Sequence, residues 1–79
     1  MITLEKLTKQ FINESGWSKE EAPKFAKWYL EVDRLVRKAL NGYGIWDIGD
    51  WGYADAYEAG WTPAGAAAEV VRSFMRGDL

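Results

Sequence analysis

An all-α fold, a compact bundle of three to four short helices, is what this sequence predicts. Three observations carry that reading. Apolar residues recur at i, i+3, i+4 and i+7 in separate stretches. Helix start and stop residues bracket those stretches, Thr62-Pro63 and Asn41-Gly42 most plainly. No stretch sustains the alternation of a half-buried strand. The expected organisation is one helical domain over residues 1–79, whose small size leaves a thin stability margin.

The first helix is expected from about Thr3, as N-cap, to Asn13, with Leu4, Leu7, Phe11 and Ile12 on one face. Glu14-Ser15-Gly16 ends it. Ser18-Lys19-Glu20-Glu21 has capping-box spacing, but Pro23 in a second turn would lose a backbone hydrogen bond. A short turn over 18–22 followed by a helix with Pro23 near its first position fits equally well. That helix runs to Leu40 and stops at Asn41-Gly42. Its buried stripe is Ala22, Phe25, Ala26, Tyr29, Val32, Val36, Ala39 and Leu40, with Trp28 and Leu35 off the stripe, where they either widen the core face or meet a partner. Lys27–Glu31 and Asp33–Arg37 read as outward i,i+4 pairs. Tyr43 to Trp46 reads as a loop, and Asp47 or Asp50 as the cap of a short helix over Trp51–Ala59 closed by Gly60. In the last helix Thr62 is the N-cap and Pro63 the first residue, with Ala64, Ala67, Ala68, Val71, Phe74 and Met75 facing inward.

Composition excludes much chemistry. The chain has no histidine and no cysteine, which removes the usual neutral-pH base, the thiolate nucleophile and the commonest metal ligands. The absence of cysteine favours a reducing, cytoplasmic location, and no apolar run approaches a membrane span. No catalytic, cofactor-binding or metal-binding residue is expected. The twelve residues Asp47 to Glu58 place Asp47, Gly52, Asp55 and Glu58 at calcium-loop positions, but Gly49 and Trp51 stand where two side-chain ligands are needed.

Charge and aromatics converge on one segment. Six of the twelve aromatic residues lie between Tyr43 and Trp61, together with four acids and no Lys or Arg. Residues 1–41 carry eight basic and six acidic side chains. Aromatics at this density supply either core or contact area, and acidic neighbours suit a basic partner. Trp46, Asp47, Asp50, Trp51, Tyr53, Asp55, Tyr57 and Glu58 are therefore the expected partner-binding residues. Trp61, at the tight junction before the last helix, is expected to pack structurally on the Gly65-Ala66-Ala67-Ala68 run.

The stretch from Tyr53 to Glu69, with its aromatic, acidic, Ala-Gly, Thr-Pro and Ala-Ala sequence, resembles segments of short uncharacterised phage proteins. The resemblance implies a small phage-encoded protein of the anti-CRISPR kind, one that binds and blocks a host protein in the host cytoplasm. It carries over no functional residue. The leading expectation is a non-enzymatic inhibitor that occludes a basic surface on a host protein or protein complex. One alternative is a small DNA-binding regulator using Lys24, Lys27, Arg34, Arg37 and Lys38 of the second helix, although direct nucleic-acid contact is the weaker reading. A homodimeric structural module is another.

Overall fold

The computed structural model describes residues 2–79 and is an all-α bundle, with four helices and no strand among the described residues. They are α1 (Leu4–Ser15), α2 (Ala22–Ala39), α3 (Tyr53–Glu58) and α4 (Pro63–Met75). The long α2 is the central element and packs against the other three.

α1 begins where the Thr3 hydroxyl accepts a hydrogen bond from the Lys6 N–H at 3.2 Å. It ends at Gly16, whose left-handed φ of 72° reverses the chain without the clash a side chain would suffer. The Trp17 N–H then donates to the Phe11 carbonyl at 3.1 Å. This stop signal sets Trp17 back over the core, where its ring stacks on Phe25 with centroids 4.2 Å apart. The chain takes the turn-then-helix route at Pro23. The Ser18 hydroxyl accepts from the Glu21 N–H, a turn covers residues 19–21, and Pro23 falls in the first turn of α2.

The core gathers Phe25, Trp28, Val32 and Val36 of α2 with Ile45, Tyr53, Ala56, Ala66, Ala67 and Val70. Ten of the twelve aromatic rings join one continuous network of contacts, from Phe11 and Trp17 through Phe25, Trp28, Tyr29 and Tyr57 to Trp46, Tyr53, Trp51 and Trp61. Rings of this size let a short chain fill its core.

Three expectations are corrected. Ala39, expected in the buried stripe of α2, is exposed, while Trp28 takes the first of its two expected roles and widens the core face. Helices on several sides of α2 widen its buried face beyond a single stripe. α4 is also rotated from its expected register: Ala66, Ala67, Val70 and Ser73 are buried, whereas Phe74 and Met75 are exposed. Residues 63–71 are nearly all small or apolar, so periodicity leaves the rotation undetermined, and close approach to α2 selects the small face. Finally, neither Asp47 nor Asp50 caps α3. Gly52 stands at that cap, with no side-chain hydrogen bond.

Candidate functional site

The acidic-aromatic segment divides where the chain enters α3. Its first part folds back along the C-terminal half of α2. Asp33, only 5% exposed, is the anchor. One carboxylate oxygen accepts from the Ile45 N–H at 2.9 Å and the other from Arg37 Nε at 2.8 Å. Arg37 in turn donates to the Gly42 carbonyl at 3.0 Å. The Asp33–Arg37 pair, expected on the outside, is thus a clamp under the loop. Burial of a carboxylate needs such partners, and the loop backbone supplies one. A Cβ on Gly44 would overlap the Asp33 carboxylate and the Arg37 guanidinium, so only glycine allows this approach. Asp47 closes the same loop, its carboxylate accepting from the Gly44 N–H at 2.9 Å. The loop leaves Trp46 at 46% exposure, with its ring edge-on to Tyr29.

The second part is α3 and its junction with α4. Tyr53 and Ala56 point into the core, and Asp55 and Glu58 are exposed. Tyr53 therefore cannot belong to a contact surface as expected: it is 7% exposed, and its hydroxyl has no hydrogen-bond partner. Burial, reinforced by Tyr29, Asp50 and Asp33, pushes that phenol's pKa far above its ordinary value. Tyr57 is half-buried and donates to Glu21 Oε2 at 2.9 Å, and burial followed by this hydrogen bond raises its pKa. At the junction the Trp61 N–H donates to the Ala56 carbonyl, and the Trp61 carbonyl accepts from Trp28 Nε1 at 2.8 Å. The backbone of Trp61 is thereby fixed to the core. The residue is 43% exposed, and its ring meets Trp51 edge-on.

These elements enclose an open groove of about 600 Å³ lined by Trp17, Glu21, Trp28, Tyr57, Glu58, Gly60 and Trp61. Trp28, 8% exposed, is its most buried ring. A second hollow of about 430 Å³ shares Trp17, Glu21 and Glu58 and adds Ser15, Ser18 and Ala54. Of the eight expected contact residues, only Tyr57 and Glu58 line the groove. Trp51 is half-buried and touches its Trp61 wall, whereas Trp46 lies in another hollow with Ile2, Asp33 and Arg37. Sequence reasoning missed Trp17 and Glu21, whereas it marks Trp28 as either core-widening or partner-facing. A tryptophan directly after a helix-ending Ser-Gly was the available signal for the first.

The charges follow this division except at Asp50, which precedes α3 and is also unpaired among the described residues. All four arginines engage carboxylates of this chain: Arg34 with Glu31, Arg37 with Asp33, Arg72 with Glu69, and Arg76 with Asp78. Asp50, Asp55 and Glu58 have no ion-pair partner among the described residues. Lys24 reaches Glu21 only at 4.0 Å. Residues 53–58 are helical, and no group of three or more potential metal ligands comes together among the described residues. No described helix is long and apolar enough to cross a membrane. Comparison with protein families, curated proteins and solved structures finds no match to this chain.

Proposed function

We propose that this chain is a non-enzymatic interaction module whose α3 face binds and occludes a basic surface on a larger protein. The observation that carries the reading is where unpaired acids stand. Asp55 and Glu58 have no ion-pair partner among the described residues and lie beside half-exposed aromatic rings. Unpaired acids steer a basic partner, and the rings supply contact area with little rotamer freedom to lose. Of the five basic residues that a DNA-binding α2 would use, Arg34 and Arg37 already hold carboxylates, while Lys27 and Lys38 have no ion-pair partner among the described residues. Occlusion of a host protein is what the resemblance to small phage-encoded inhibitors implies.

The test is titration of the protein with an arginine- and lysine-rich peptide and, separately, with duplex DNA. The expected result is salt-sensitive peptide binding and no DNA binding at the same ionic strength. An Asp55→Lys, Glu58→Lys double variant should remain folded and lose peptide affinity by about tenfold or more. Unchanged peptide affinity in that variant sinks the proposal.

A further inference from the structure

The groove can be assigned a ligand chemistry, an inference that rests on the reading above. We infer that it receives an arginine side chain of the partner protein, stacked among Trp17, Trp28, Tyr57 and Trp61 and paired with Glu58.

Three features of the groove fit that side chain. Its walls are aromatic: Tyr57 meets Trp17 and Trp28 edge-on at 5.9 and 5.6 Å, and Trp61 leaves much of its ring in solvent. Ring faces attract cations, and tryptophan does so most strongly. Its lining charges are exclusively acidic, Glu21 and Glu58. Glu21 is already engaged, accepting from the Tyr57 hydroxyl at 2.9 Å with Lys24 at 4.0 Å. Glu58 has no ion-pair partner among the described residues, so it is the free countercharge.

The third feature is shape. The groove is an open trough, not a closed box. A quaternary or methylated ammonium gains most when rings surround it on all sides. A planar guanidinium can lie flat on one ring and still fork onto a carboxylate at the edge, which suits a trough. The adjoining hollow beside Ser15 and Ser18 shares Glu58, leaving room for the peptide backbone that carries the arginine.

The experiment follows the indole N–H resonances of the five tryptophans during titration with N-acetyl-arginine methylamide. The neutral citrulline analogue, the lysine analogue and tetramethylammonium are run in parallel. The expected result is saturable shifts at Trp17 and Trp61 with arginine in the millimolar range. Lysine and tetramethylammonium should bind more weakly, and citrulline at least about tenfold more weakly. Glu58→Gln and Trp61→Ala should each weaken arginine binding at least about threefold. Glu58 is exposed, so Glu58→Gln is expected to fold and remains informative if Trp61→Ala does not.

Equal affinity for arginine and citrulline, or no effect of Glu58→Gln, overturns the inference. If a basic peptide binds but shifts resonances away from the groove, the inference fails while the interaction module stands. If neither the peptide nor arginine binds, both fail.

Discussion

Residues 42–51 and residues 53–61 have the same kind of composition and opposite uses. In the first stretch Asp47 is consumed in building a loop, where it holds the Gly44 N–H while Asp33 takes the Ile45 N–H, and Asp50 near its end stays exposed. In the second, the backbone is satisfied by α3 and its junction, and Asp55 and Glu58 keep their charges for solvent. The difference lies in what each stretch lies against. The loop covers a buried carboxylate that needs partners. α3 covers an aromatic core that needs none. An acid among aromatic residues becomes structural or available according to its neighbour.

The largest effect that separates the two regions is expected at Asp33. Asp33→Ala leaves the Ile45 N–H without its partner and Arg37 without its carboxylate. It should cost about 3 kcal/mol in urea denaturation. Gly44→Ala attacks the same clamp by forcing a Cβ into it and should cost about 1–3 kcal/mol. A loss under about 0.5 kcal/mol in either variant would mean that the loop does not depend on the clamp.

Trp28→Phe probes the tie between core and groove. It removes the hydrogen bond to the Trp61 carbonyl and should cost about 1 kcal/mol. It should also move the Trp61 indole resonance, since that bond fixes the junction. A Trp61 resonance that stays in place would detach the groove wall from the core.

Alkaline pH gives a smaller and more diffuse effect. Burial, first among the causes, raises the phenol pKa values of Tyr29, Tyr53 and Tyr57 above the ordinary 10.0. Above that value the unfolded chain releases phenol protons while the folded chain keeps them. The folded state then binds more protons, and stability falls as pH rises. Urea midpoints should therefore hold steady up to about pH 10 and decline beyond it. A midpoint that rises above pH 10 would contradict the burial of these rings.

The helices were legible because their punctuation is local. Thr3, Gly16, Ser18 and Thr62-Pro63 act within a few residues of themselves, and each does what its chemistry dictates. The groove was legible only in part. Its acids and Tyr57 lie in a conspicuous segment, but Trp17, Glu21 and Trp28 reach it from elements far away in sequence. Whether Asp33 points outward or inward depends on a loop eight or more residues downstream, which i,i+4 spacing does not register. The rotation of α4 was hidden for a different reason, since a helix rich in alanine presents no single apolar stripe.

Asp47 and Glu58 test the division most directly, because both belong to the acidic set that the sequence marks for partner binding. The measurement is affinity for the arginine- and lysine-rich peptide alongside the urea midpoint, for Asp47→Ala and Glu58→Gln. Asp47→Ala should lose about 1 kcal/mol of stability, through the Gly44 N–H, and change affinity less than about twofold. Glu58→Gln should leave the midpoint unchanged and weaken binding at least about threefold. If Asp47→Ala weakens binding as much as Glu58→Gln, with the fold equally intact in both, the acidic segment is one undivided surface and the account is wrong.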